Sequence, residues 1–129
     1  MTNAEFKKGL EERTLAFSVM LLNYLDSLPN RKIFWMIIDQ VGRSGASIGA
    51  NYREANLAES KADFVHKIGI VEKESSETVY WLTVLSRLRE LPAALADENA
   101  ILLKEADELL SLFSTVSRKA KPSRITSEL

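Results

Sequence analysis

The chain reads as an all-α protein, an antiparallel up-and-down four-helix bundle, on three observations. Four segments repeat apolar residues at spacings of three and four. The connections between them are short, so consecutive helices run in opposite directions. No segment requires a strand or a strand–helix–strand unit.

The first segment sets Leu10, Phe17, Leu21, Tyr24 and Leu28 on one side and stops at Pro29. Asn30 is placed to cap the second, whose stripe is Phe34, Ile37, Ile38, Val41, Ile48, Tyr52 and Ala55. The third opens with Ser60 and Asp63 at capping-box spacing and carries Phe64, Ile68, Val71, Thr78, Leu82 and Leu85 before Pro92 ends it. Asp97 is placed to cap the fourth, where the neighbouring Glu98 also suits a helix amino end. Leu102, Ala106, Leu109, Phe113 and Val116 form its apolar side. Residues 1–121 then make one bundle domain, and residues 122–129, without apolar period, read as a flexible tail.

Composition narrows the function classes. With 129 residues, 46% of them hydrophobic and 27% charged, the chain has the make-up of one soluble globular domain and not of a disordered or fibrous protein. It has no cysteine, which excludes disulfides, iron–sulfur clusters and thiol chemistry. No apolar run approaches a membrane span, and the start lacks a signal-peptide pattern, so a cytoplasmic protein without a membrane partner is expected.

Seventeen basic and eighteen acidic residues give a net charge of -1, too balanced to make nucleic acid an obligatory partner. The basic residues are unevenly distributed all the same. Arg31, Lys32, Arg43 and Arg53 fall in one segment and Arg118, Lys119, Lys121 and Arg124 in another, and these are the candidate RNA or DNA contacts.

The stretch VGRSGASIGANYREAN, Val41–Asn56, packs three glycines into eight residues. Each costs a helix about 1 kcal/mol relative to alanine, so a helix here needs a close contact in return. Gly42, Gly45, Ala46, Gly49 and Ala50 would admit another backbone or a bulky side chain such as Trp81. A break at this point would instead divide the second helix and give five. A phosphate loop is disfavoured, because no strand precedes the glycines and their spacing matches neither nucleotide-binding pattern.

A polar row, Gln40, Ser44, Ser47, Asn51 and Glu54, runs beside the apolar stripe, and Glu74 and Glu77 of the third helix can turn toward the same seam. Ser47 and Asn51 are suitable donors for a buried carboxylate. The expectation is a structural polar layer that fixes helix register. A solvated row and a ligand site are the other readings.

No catalytic residue, metal site or cofactor is assigned. His66 is the only histidine, so zinc and the two Glu-x-x-His pairs of diiron bundles are excluded, which leaves Glu54, Glu74 and Glu77 only an all-carboxylate Mg²⁺ arrangement. Ser44, Ser47, Ser75 and Ser76 have no evident base or oxyanion site. Val19, Leu22, Trp35, Met36 and Trp81 widen the apolar faces beyond one bundle seam, as expected if a second subunit covers them or if the monomer core is unusually broad.

Two of these stretches carry a resemblance. QVGRSGASIGANYREA, with Gln40, Arg43, Ser47, Ile48, Asn51 and Glu54, resembles the signature of proteins related to the open reading frame of 23S ribosomal RNA intervening sequences. DFVHKIGIVEKESSETVYWL, with Phe64, Lys73, Glu74, Glu77, Thr78, Tyr80, Trp81 and Leu82, is similar to the third-helix pattern of that family. The resemblance spans roughly residues 10 to 120 and implies an antiparallel four-helix bundle assembled into a ring-like homopentamer. It implies little about biochemistry beyond relatives that accompany diversity-generating retroelements, which are basic barrels that bind nucleic acid and a reverse transcriptase. The leading expectation is a noncatalytic homo-oligomeric scaffold or adaptor with a protein partner; the alternatives are an accessory protein that binds RNA or DNA and an enzyme of unknown reaction.

Overall fold

The computed structural model describes residues 1–122 and contains four long helices: α1 (Asn3–Asp26), α2 (Lys32–Asn56), α3 (Lys61–Arg87) and α4 (Ala96–Ala120). They run up, down, up and down. Each packs on the next in the chain, and α4 returns to α1 with a sparser contact that closes a four-cornered bundle. The boundary expected at 121/122 lies at the edge of this region, and residues 123–129, including Arg124, lie outside the described residues.

Local sequence accounts for most helix ends. Thr2 caps α1 by accepting from the Glu5 amide at 3.1 Å, and Ser60 caps α3 by accepting from the Asp63 amide at 3.0 Å. Two expected caps are corrected. The capping residue of α2 is Arg31, while the Asn30 side chain accepts a 2.7 Å bond from Trp35 Nε1, so the indole N–H takes the oxygen expected at the helix end. Asp97 lies one residue inside α4, because a short 3-10 turn at Ala93–Leu95 leads directly into the helix and makes Leu95 its capping residue.

The glycine-rich stretch is unbroken helix, with no residue at positive φ. Its close neighbour is α1 and not Trp81. A Cβ on Gly45 would overlap the Leu21 side chain, and one on Gly49 would stand 3.0 Å from Thr14 Oγ1 and 3.4 Å from the Thr14 backbone carbonyl carbon. Trp81 lies on α3, which meets α2 on the side of Ser44, about 100° around the axis from Gly45. Thr14 itself is fully buried and turns its hydroxyl onto the Leu10 carbonyl at 2.9 Å, which leaves a small, self-satisfied surface for Gly49 to meet.

The core between the helices is continuous. Phe17, Leu21, Phe34, Ile48, Ile68, Leu82, Leu102, Leu109 and Phe113 are almost wholly buried, and Tyr52 of α2 packs on Phe113 of α4 with ring centroids 5.2 Å apart. Each such side chain contributes about 1.5–3 kcal/mol of burial. Val116 and Phe64, expected in the stripes, are only half-buried, whereas Asn99 and Ser117 of α4 are inside.

Asn99 is there because it joins three helices. Tyr24 of α1 donates to Asn99 Oδ1 at 2.7 Å, and Asn99 Nδ2 donates to the Leu82 carbonyl of α3 at 3.0 Å. Burial, with the nearby Glu98 charge adding to it, pushes the Tyr24 hydroxyl up to about 12, so it remains a donor at any ordinary pH. Nearer the surface, Arg13 of α1 forks onto Glu105 of α4 at 2.8 and 2.7 Å and reaches Glu108 at 3.0 Å. The Arg13 bond holds the Glu105 carboxyl below its ordinary range. A lowered carboxyl pKa stabilises the fold above the unfolded value, and this contribution is lost as pH falls through the folded one.

Two outcomes follow for stability in urea. Gly45→Ala is expected to destabilise by about 1–3 kcal/mol through overpacking against Leu21, outweighing its gain in helix propensity, whereas Gly69→Ala, with nothing within 4 Å of the new methyl, stabilises by about 0.5–1 kcal/mol. Tyr24→Phe should cost about 1–3 kcal/mol by leaving Asn99 Oδ1 buried without its donor; an unchanged unfolding midpoint would remove Asn99 as a junction of the bundle.

Candidate functional site

The expected polar row is spread around α2 and divides into an inner and an outer part. Ser44 is buried, and its Oγ lies 2.9 Å from Thr78 Oγ1 of α3, which is also 2.8 Å from the Glu74 carbonyl oxygen. This is the contact that turns α2 toward α3. Ser47 and Asn51 stay on their own helix: Ser47 donates to the Arg43 carbonyl at 2.6 Å, and Asn51 Nδ2 donates to the Ser47 carbonyl at 2.8 Å. Residues three or four apart on a helix find each other before a partner helix can compete. Gln40 is half-buried and Glu54 exposed.

The carboxylates of α3 follow the same division. Glu77 accepts from Trp81 Nε1 at 3.5 Å, a long bond within the helix. Glu74 is half-buried, and its pKa is raised, first by burial and then by the Glu77 charge, with Lys73 opposing both. Neither Ser47 nor Asn51 donates to it; the bonds they make are to carbonyls of α2. The seam between α2 and α3 therefore has one closed hydroxyl pair inside and a partly dehydrated carboxylate at its rim.

The geometry gives no reacting constellation. Ser75 is buried and donates to the Val71 carbonyl at 2.8 Å, a helix-internal bond, and His66 is exposed. Among the described residues no three His, Cys, Asp or Glu side chains are grouped to hold a metal. No helix among them is long and apolar enough to cross a membrane.

The basic residues are separated and largely engaged. Arg31 lies 3.0 Å from Glu90, Arg43 lies 3.1 Å from Asp39 one turn earlier, and Arg53 lies 3.9 Å from Glu11. Arg31 and Lys32 stand at the amino end of α2, while Arg118 and Lys119 occupy the last turn of α4 and Lys121 follows it. In an antiparallel bundle those are opposite ends, about 37 Å apart along a helix of this length.

The outer surface is more informative. Leu15, Val19, Leu22 and Trp35 are each about half exposed, on the face shared by α1 and α2. Beside them runs a shallow apolar furrow of α2 lined by Ile38, Gly42, Ala46 and Ala50 and edged by Asp39 and Arg43. Ile33 and Met36 of α2 are also exposed, and Trp81 of α3 is half-buried. The sequence pattern had marked Val19, Leu22, Trp35, Met36 and Trp81 of this surplus, but Leu15, Ile33 and the Asn99 junction escaped it. Asn99 stands three residues before Leu102, on stripe register, and that spacing was the available signal.

A family model for 23S rRNA-intervening sequence proteins matches residues 10–114. The chain belongs to that family. It is also similar to a crystal structure of a protein with unknown function from the S23 ribosomal protein family of Bacteroides thetaiotaomicron VPI-5482, with 32% identity, a TM-score of 0.75 and coverage of 87% of this chain and 97% of that one. No curated protein matches. For this member of the 23S rRNA-intervening sequence family, the match covers both the glycine-rich helix and the α3 segment that carries Glu74, Glu77 and Trp81.

The raised Glu74 pKa fixes the sign of a pH effect. A carboxyl whose folded pKa lies above its unfolded value opposes folding when ionised; the penalty is absent below the unfolded pKa and develops as pH rises through the folded one. Glu74→Gln is accordingly expected to melt at the same or a higher temperature than the parent at pH 7, with any advantage fading toward about pH 4. A clear loss of melting temperature at pH 7 would mean that the carboxylate is hydrogen-bonded in the fold.

Proposed function

We propose that this protein is a noncatalytic, homo-oligomeric helical scaffold or adaptor, a ring-shaped pentamer by analogy with the resemblance described above. The observation that carries the reading is the half-exposed apolar surface around α2, with Leu15, Val19 and Leu22 on one flank and Met36 on the other. A monomer gains nothing by holding such side chains in water, whereas a second subunit would bury them at about 25 cal/mol per Å². A ring would repeat one adaptor surface several times, so that individually weak contacts with a partner protein add through multivalency. A cytoplasmic setting is part of this reading.

Binding of RNA or DNA is the second reading, favoured by Arg118, Lys119 and Lys121 standing together at the end of α4. Repetition around a ring would multiply that basic cluster. Such binding would depend on phosphate attraction and fall steeply with salt.

Light scattering at several concentrations is expected to give a mass about five times the 14.5 kDa of one chain; a persistent monomer would overturn the scaffold reading. In the same preparation, a gel shift of mixed single-stranded RNA that is present at low salt and lost near 0.15 M, roughly the physiological ionic strength, would favour the nucleic-acid reading. No shift at low salt would remove it.

A further inference from the structure

We propose that the furrow where the first turns of α1 lie against the last turns of α4 is a binding site for a free single-chain alkyl carboxylate, a fatty acid of about ten to fourteen carbons. The chain lies along the furrow with its carboxylate at the Lys119 end. This goes beyond the scaffold reading and does not depend on it.

The furrow exists because α1 brings little bulk to this end of the bundle. Between Asn3 and Gly9 its only large apolar side chain is Phe6, which remains 40% exposed. A Cβ on Gly9 would meet nothing within 4 Å. The apolar side of α4 continues all the same, and its Leu112 and Val116 are left half-buried. Farther along the seam Arg13 crosses to Glu105 and Glu108 and closes it.

Two hollows result, and they share Phe6 and Leu112. The outer one, which also takes in Asn3, Val116 and Lys119, has a volume of about 630 Å³. The inner one reaches Gly9 and Arg13 and has a volume of about 190 Å³. Small-molecule sites measure roughly 300–1,000 Å³ and combine an apolar lining with a few polar groups, which is the make-up of the outer hollow. From Asn3 to Arg13 the axis of α1 rises about 15 Å, the extended length of a chain of roughly twelve carbons. A partner helix laid along the seam would run into the Arg13 bridge, whereas a chain ending in a methyl group stops short of it.

Charge sets the direction of the ligand. Lys119 lines the outer hollow, with Arg118 before it and Lys121 just after the helix, and among the described residues none of the three forms an ion pair. Glu5 lines the inner hollow, where Arg13 is already engaged by Glu105 and Glu108. An anionic head is therefore attracted at the outer end and repelled at the inner one. Phe6, Leu112 and Val116 supply the apolar floor for the chain.

The test titrates dodecanoate, kept below its micelle concentration, into the full chain by isothermal calorimetry. Affinity is expected to rise about two- to fourfold per methylene from octanoate to dodecanoate and to level off beyond about fourteen carbons, where the furrow is full. Gly9→Leu fills the inner hollow and should weaken dodecanoate about tenfold or more, with wild-type helicity by circular dichroism. Lys119→Glu should weaken dodecanoate and leave dodecanol unchanged; if Gly9→Leu loses helicity, this variant decides alone. No saturable binding, or dodecanoate binding that ignores both substitutions, overturns the proposal. Tighter, Gly9-dependent binding to phosphatidylglycerol vesicles would make the source a membrane surface and overturn the free-acid site. A changed mass of Gly9→Leu in light scattering would assign the furrow to a contact between copies and overturn it equally.

Discussion

A Cβ at Gly45 would have to displace the buried Leu21 methyl that fills the space between α1 and α2, and the facing of α2 goes with that approach. With the α2 backbone pressed onto Leu21 and Thr14, the rotation of α2 about its axis is no longer free. Ser44 is then turned to Thr78, Ile48 and Val41 are turned into the core, and Ala46 and Ala50 are left on the outside. The helix cost of Gly45 and Gly49, about 1 kcal/mol each, is offset by contacts that a Cβ would disturb, whereas a Cβ on Gly42 would make an ordinary 3.5 Å contact with Leu25. The same rotation decides which residues are available to other molecules.

Polar groups inside the bundle act as selectors of arrangement more than as sources of stability. Tyr24, Asn99 and the Leu82 carbonyl connect α1, α4 and α3 in one chain of hydrogen bonds, and a slip of any of these helices by one residue would leave a buried amide unpaired. The Arg13 fork onto Glu105 performs a related task at the surface, where the α1/α4 contact is otherwise sparse. Because Arg13 is more than a third exposed, solvent screens the pair and limits it to roughly 1 kcal/mol.

The residues that seemed most able to carry chemistry are mostly occupied with their own helices. Ser47, Asn51 and Ser75 bond to carbonyls one turn away, and Arg43 pairs with Asp39. The apolar side chains that the core does not consume, Leu15, Val19, Leu22, Trp35 and Met36 among them, are left about half exposed on α1 and α2.

Apolar period, the cap at Ser60 and the stop at Pro29 made the four helices, their antiparallel order and most of the core legible from sequence, because a helix is specified by residues three and four apart. The family motifs were legible for the same reason: they are contiguous. The neighbour of the glycines and the place of Asn99 were decided only when distant segments met, since each depends on a partner whose rotation is set by the packing of another helix. Local spacing determined what each helix is; three-dimensional crowding determined what each of its sides faces, because a side chain's partner across a bundle has no fixed distance in sequence.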